Sequence, residues 1–345
     1  MRLPGPLPPP RGDTFGDNES AARLGFTLFF NGNLGGGVGC VTCHAPEAAF
    51  ADSSSVSKGK AIGTRNTPTI FNVARLKVIF WDGRADSLWS QPLFPLENPL
   101  EMASSRLELA HFIGDDALLR QAYEGVFGTL PDMTGWPSAG KPGDPAFDML
   151  PADAQGQVNR LAANVGKSLE AYMRKNTSGS APLDAYLSGD ASQLTDVAIR
   201  GLETFIDHGC ASCHGGPMLT DESFHNVGLP SLPGAMPDPG RLEGAPILQH
   251  DIFNLAGPYA DPGTGAVPPV IESHPQNGAF RTPSLRNVAR TPPYGHDGAL
   301  ATLDDVLAVH ALDMGAADRG AVVAFLQTLN GSLPALPWSN WPLPQ

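Results

Sequence analysis

Apolar residues recur at three- and four-residue intervals through 19–30, 106–127, 157–175, 195–208, 303–312 and 316–329, the spacing that lays one apolar stripe along a helix. Thr195 and Thr302 stand just ahead of two of these stretches, where a hydroxyl oxygen can cap the first turn, and acidic residues follow Thr302. Strand-like alternation is weak. Between the helices run long Pro- and Gly-rich stretches, the longest at about 228–278, predicted as an ordered loop. A loop of that length in a compact domain usually covers a site or forms an interface. Residues 176–192 read as a linker, which divides the chain into 13–188 and 189–335. No stretch approaches the roughly 20 apolar residues that span a bilayer. The pattern predicts a mainly α protein with long irregular loops.

The two parts repeat one another. Thr67-Pro-Thr-Ile-Phe-Asn-Val-Ala-Arg75 matches Thr282-Pro-Ser-Leu-Arg-Asn-Val-Ala-Arg290, and the match runs on without a gap from Phe80-Trp-Asp-Gly83 to Gly295-His-Asp-Gly298. In this register Leu88 pairs with Leu303, Trp81 with His296 and Pro95 with His310. The duplication predicts two similar domains, which also suits a chain of 345 residues.

A net charge of -13 argues against a nucleic-acid partner. It suits a basic redox partner steered by an acidic field, or simply a solvated acidic surface, since no single acidic run stands out. The Pro-rich opening from Met1 to Pro10 lacks the apolar core of a secretory signal.

All four cysteines fall in two copies of Cys-x-x-Cys-His: Cys40-Val-Thr-Cys43-His44 and Cys210-Ala-Ser-Cys213-His214. This pattern is the attachment site of a c-type haem, with two thiols on one turn for the two vinyl groups and the adjoining imidazole for the iron. Two covalently bound c-type haems are expected, with thioethers rather than disulfides and a core built partly from porphyrin. Haem is attached to such motifs outside the bacterial cytoplasmic membrane, so a periplasmic protein is expected, its export signal removed or lying outside this chain.

The two haem motifs, Arg65-Asn-Thr-Pro68, Phe80-Trp-Asp-Gly-Arg-Ala85, Pro95 with Glu101-Met102, Phe224-His-Asn-Val-Gly-Leu-Pro230, and Arg281-Thr-Pro-Ser-Leu-Arg-Asn-Val288 leading into Pro293-Tyr-Gly-His-Asp-Gly298 occur in one order across about residues 20 to 330. Together they resemble the bacterial dihaem cytochrome c peroxidase and MauG family. The resemblance implies two cytochrome c-like domains, with the peroxide-reacting haem on His44 and the electron-transfer haem on His214. It implies Trp81 between the porphyrins as a relay for an electron or hole, a place where a large aromatic also fills the interface. Glu101 resembles the distal acid–base, which moves a proton between the peroxide oxygens, and Gln91 resembles the partner that orients peroxide. Asn66, Thr291 and Pro293 resemble the ligands of a calcium ion between the domains, one amide oxygen and two carbonyls; turn formation alone also accounts for these three. His296 receives no ligand role.

The chain departs from the family at both irons. Many members carry a second histidine after the first haem motif, which blocks the peroxide site until the other haem is reduced. Here 45–66 contains neither histidine nor methionine, His111 lies in a helical pattern and reads as a surface residue, and Pro95 has no atom that can ligate iron. An open first haem, active without prior reduction, is expected. On the second haem His310 stands where typical peroxidases have methionine and MauG has tyrosine, and a second imidazole lowers the potential. Met314, one turn further on, is the rival ligand and reads as core packing.

The resulting expectation is a periplasmic dihaem peroxidase that reduces hydrogen peroxide with electrons from a small cytochrome c or cupredoxin. Two alternatives remain at this point: a MauG-like oxidase that modifies tryptophan or tyrosine side chains of a protein substrate, and a non-enzymatic dihaem cytochrome. Trp338 and Trp341, in a Pro-rich tail, are open to docking, dimer or packing roles.

Overall fold

The structure, a computed structural model, describes residues 1, 5–265, 268, 271–311 and 313–334. Trp338 and Trp341 lie outside the described residues. Twelve α-helices occur among those described: α1 (Glu19–Phe30), α2 (Cys40–Cys43), α3 (Leu93–Glu97), α4 (Arg106–Asp115), α5 (Ala117–Phe127), α6 (Pro145–Asp148), α7 (Ala152–Met173), α8 (Pro182–Tyr186), α9 (Asp196–Asp207), α10 (Arg241–His250), α11 (Leu303–His310) and α12 (Ala316–Gln327). Two short strands, β1 (Phe224–His225) and β2 (Phe280–Arg281), pair antiparallel with Phe224 opposite Arg281. The protein is thus mainly helical. No helix among the described residues is long and apolar enough to cross a membrane.

Three sequence expectations need correction. The single helix expected over 106–127 is two, because Asp116 takes an extended conformation and its carboxylate accepts the N–H groups of Leu118 (2.8 Å) and Leu119 (3.0 Å), capping a new helix. The stretch 228–278 is not all loop: it contains α10, whose internal Pro246 and weak amphipathic pattern hid it. The stretch 176–192 carries α8, and Asn176 and Ser178 are buried rather than free to swing. The Thr195 and Thr302 caps are formed, to the N–H groups of Ala198 and Asp305.

One helix crossing occurs twice. α1 lies against α7 with Gly25 so close that a Cβ there would sit 1.9 Å from the Ser168 carbonyl oxygen; α9 lies against α12 with Gly201 at the same 1.9 Å from Ala321 O. Each crossing closes a separate apolar cluster. The first runs from Leu24 through Phe29, Trp89 and Leu109 to Tyr172, the second from Leu183 through Phe205 and Leu307 to Phe325. The 228–278 stretch crosses over to the first cluster: Phe253 is buried there, Leu255 N–H donates to Asp86, and Asp261 pairs with Lys167 at 2.5 Å.

The repeated elements meet through the segment joining them. Asn72 and Asn287, equivalent in the repeat, both take left-handed conformations (φ 60° and 62°), which asparagine tolerates. Their side-chain amides donate to one acceptor, Ser178 Oγ, at 2.8 and 3.1 Å.

Gly25→Ala and Gly201→Ala each force apart a backbone contact, and each should cost about 1–3 kcal/mol. Gly156→Ala on α7, with nothing within 4 Å, should instead gain about 0.5–1 kcal/mol. Thermal melts of the three variants test this; a G201A protein as stable as the parent would refute the tight second crossing.

Candidate active site

Two cavities lie over the two Cys-x-x-Cys-His segments, with about 1130 Å³ and about 1850 Å³ of unfilled space when the open solvent at their mouths is included. In the first, α2 carries Cys40 and Cys43, and His44 ends the turn with its N–H on Cys40 O (2.9 Å). In the second, Cys210 begins a 3-10 turn and His214 N–H reaches Cys210 O at the same 2.9 Å. Both rings are fixed alike: His44 Nδ1 lies 3.0 Å from Phe50 O, and His214 Nδ1 lies 3.3 Å from Leu219 O. A carbonyl can only accept, so Nδ1 carries the proton and Nε2 keeps its lone pair. Burial holds both imidazoles below the usual histidine range, and nearby His310 lowers His214 further. All four thiols are free, and burial pushes Cys40 up to about 12 and Cys43 up to about 11. Two thiols beside an imidazole with an unused Nε2, facing a largely apolar cavity, fit a haem in each place.

The first cavity, which His44 lines, is also lined by Phe80, Trp81, Arg84, Gln91, Pro95 and Glu101. Pro95 lies in α3, Gln91 just ahead of it, and Glu101 just behind it in a turn closed by Met102 N–H on Pro95 O (3.1 Å). Glu101 Oε1 accepts from Asn98 Nδ2 at 2.9 Å. Burial raises the Glu101 carboxyl above its ordinary range, against the opposing pull of Arg84, Asn98 and Arg65. The preceding loop holds the acid from behind, with Lys60 N–H on Glu101 O at 2.7 Å. His44 is the only imidazole lining this cavity among the described residues. His111 is half-buried rather than on the surface, its Nε2 3.1 Å from Pro137 O.

Sequence reasoning missed Arg65 and Arg84 in this lining. Arg84 pairs with Asp82 at 2.8 Å and lies over the Phe80 ring, 3.6 Å from its centroid. Arg65 bridges Asp82 and Asp238, the latter at 2.7 Å from the 228–278 stretch. Their place inside matched motifs was the available signal. Met102 and Met173 also line this cavity, and Met102 packs onto Gly35.

The second cavity is lined by His214 and by His310, the last residue of α11, among others. Met314 does not line it; it is 4 % exposed and packed in the second apolar cluster. His296 is buried and stacks on Phe280, centroids 3.9 Å apart. Asn66, Thr291 and Pro293 share this cavity's lining. The Asn66 side-chain nitrogen donates to Ser54 O (2.9 Å), so the amide oxygen is the atom left to face a cation.

Trp81 and the segment from Asn66 to Thr69 line both cavities. Trp81 Nε1 donates to Asn66 O at 3.0 Å, which fixes the indole plane. Two reciprocal backbone bonds cross the junction at equivalent repeat positions: Asn66 N–H to His296 O, and Arg281 N–H to Trp81 O, both 2.8 Å.

Residues 19–192 match the family described as di-haem cytochrome c peroxidase. The chain is 31 % identical to the cytochrome c551 peroxidase of Pseudomonas aeruginosa over 94 % of this chain and 83 % of that one. It is 31 % identical to the methylamine utilization protein MauG of Methylorubrum extorquens, over 98 % of this chain and 86 % of the other. Among solved structures, a MauG-like protein associated with microbial copper homeostasis superposes with a TM-score of 0.70 at 26 % identity, covering 99 % of this chain and 98 % of that chain.

Proposed function

This chain belongs to the di-haem cytochrome c peroxidase family and is a peroxidase-type oxidoreductase, and from that premise we propose that it reduces hydrogen peroxide in the first cavity without prior reduction. The overall change is H₂O₂ with two electrons and two protons to two waters. Cys40, Cys43 and His44 would hold one haem, and Cys210, Cys213, His214 and His310 the other, and these groups would supply the redox chemistry. The observation that supports the reading is the lining that Glu101 and Gln91 share with His44, in which no second imidazole stands among the described residues.

Glu101 takes the proton from one peroxide oxygen and returns it to the other, while Gln91 orients the bound oxygen pair. Asn98 holds Oε1, which aims the carboxyl and leaves Oε2 for the proton. Pro95, equivalent in the repeat to His310, brings no ligating atom at that position. Trp81, which lines both cavities, relays oxidising equivalents between the two sites. The domains are assigned as 13–188 and 189–335, with calcium held between them by Asn66, Thr291 and Pro293. A periplasmic location follows from the covalent attachment chemistry, and the electron donor is assigned as a small cytochrome c or cupredoxin.

A second reading is favoured by His310, which stands where a peroxidase of the usual kind carries methionine, and by the likeness to a MauG. In it the electrons come from tryptophan or tyrosine side chains of a protein substrate. Peroxide-dependent oxygen gain or hydrogen loss in the mass of a partner protein would support it; rapid turnover of a reduced small cytochrome supports detoxification.

Steady-state assays started from the fully oxidised protein should show turnover from the first cycle, and a requirement for one-electron pre-reduction would sink the open-site reading. Electron paramagnetic resonance of the oxidised protein should show one high-spin and one low-spin haem, both lost on adding peroxide. Glu101→Gln should lower kcat/KM for peroxide by about 10²–10⁴-fold. Because the raised Glu101 carboxyl must be ionised to accept a proton, activity should fall as pH drops through a value above the ordinary carboxylate range. The Glu101→Gln variant should lose that acid limb.

A further inference from the structure

Five arginines are buried among the described residues: Arg106, Arg174, Arg241, Arg281 and Arg286. Four have a carboxylate, from Glu97, Asp17, Glu272 and Asp184 in that order, at 2.8–2.9 Å. Arg281 has none. It is 8 % exposed, it lines the second cavity, and its side chain donates only to backbone carbonyls: Nε to Phe80 O (3.3 Å) and NH1 to Thr282 O (3.2 Å). No protein acceptor is found for its second terminal nitrogen among the described residues. Glu222 supports the charge electrostatically, but its Oε2 is taken by the N–H of Lys77 at 2.5 Å.

A guanidinium cannot shed its proton under working conditions, and a buried charge is tolerated only when it is compensated. Burial accordingly pushes Arg281 below the usual arginine range, a penalty that an anion in the cavity would remove. The backbone on either side is fixed, since Arg281 N–H is bonded to Trp81 O and the residue is paired across β1 and β2. The charge is therefore built into the cavity wall. A haem carries two carboxylate side chains, and a guanidinium with a free edge is the geometry that accepts a carboxylate.

Resting on the dihaem reading above, we propose that Arg281 is the counter-ion of a propionate of the second haem and, by placing a fixed positive charge there, a positioning residue that raises that haem's potential. The equivalent repeat position in the first half is Asn66, which is neutral. The duplicated sites thus differ in a fixed charge as well as in axial ligand, and charge close to a haem is one of the terms that sets its potential.

The test is a spectroelectrochemical titration of the haem-loaded full chain as wild type, Arg281→Gln and Arg281→Lys, with haem content measured in each. Loss of the cation favours the ferric state, so Arg281→Gln should shift the low-spin haem to lower potential and leave the high-spin haem where it was, while Arg281→Lys should restore most of the shift. Arg281→Gln with two haems per chain and an unmoved low-spin potential, or with both potentials moved equally, overturns the assignment. A structure of the haem-loaded wild type provides a check that no variant has to fold for. A propionate oxygen within hydrogen-bonding distance of the guanidinium supports the proposal, and a guanidinium held only by the Phe80 and Thr282 carbonyls refutes it. Wild-type chain carrying fewer than two haems would instead overturn the dihaem reading itself, and this proposal with it.

Discussion

The reciprocal pair of backbone bonds at the junction, Asn66 N–H to His296 O and Arg281 N–H to Trp81 O, is the constraint from which the arrangement of both cavities follows. Each bond joins one copy of the repeat to the other copy, and all four residues line the second cavity. Buried backbone polar groups must find partners, and here each copy satisfies the other. The halves therefore cannot slide past one another without stranding two N–H groups. Ser178 adds a third tie by accepting from Asn72 and Asn287, so the segment between the repeats acts as a staple. Glycines close the same junction, since a Cβ on Gly83 would meet Phe224 at 2.3 Å and one on Gly298 would meet Ser55 O at 2.4 Å.

On this near-symmetric frame a few register positions have diverged, and they face the cavities. Trp81 lines both cavities, whereas its equivalent His296 stacks on Phe280 and lines only the second. Pro95 and His310 each follow the repeat element on a short helix, α3 and α11. Because the frame holds backbone positions alike, a change of one side chain changes the chemistry without re-siting anything. Arg65 carries the junction further, reaching from the first cavity to Asp82 and Asp238 at once.

Much of this was legible in the chain because it rests on local rules. Helical periodicity found α1, α9 and α12 nearly to the residue, and the Thr195 and Thr302 caps were readable from hydroxyls placed before apolar stretches. The Cys-x-x-Cys-His segments disclosed themselves by spacing, and the ungapped repeat disclosed which residues would be equivalent. Of what was not legible, one case is a local competition and the others depend on packing or on partners distant in sequence. The break at Asp116 turns on a carboxylate choosing the backbone ahead of it over helix continuation. α10 has a proline inside it and little amphipathic contrast, so its helicity comes from packing. The crossing of 228–278 to the first half rests on Phe253 burial and the Asp261–Lys167 pair, neither of which has a local signal.

The repeat also explains why the two irons' environments were readable as a contrast before either was seen as a place. Alone, Pro95 is an unremarked residue of a short helix and His310 one of nine histidines. Aligned, they occupy one position of one frame, and the frame places each beside a cavity that begins with the same Cys-x-x-Cys-His turn. A proline offers iron no lone pair and an imidazole offers a strong one, so the same backbone can leave one site open and close the other. Met314 is removed from the contest by the same packing logic: its side chain is committed to the apolar cluster formed with Leu303, Leu307 and Leu326. Divergence at a single aligned position, on a frame that two backbone bonds keep rigid, is a sufficient physical route from a duplicated haem-binding unit to a pair of sites with different work.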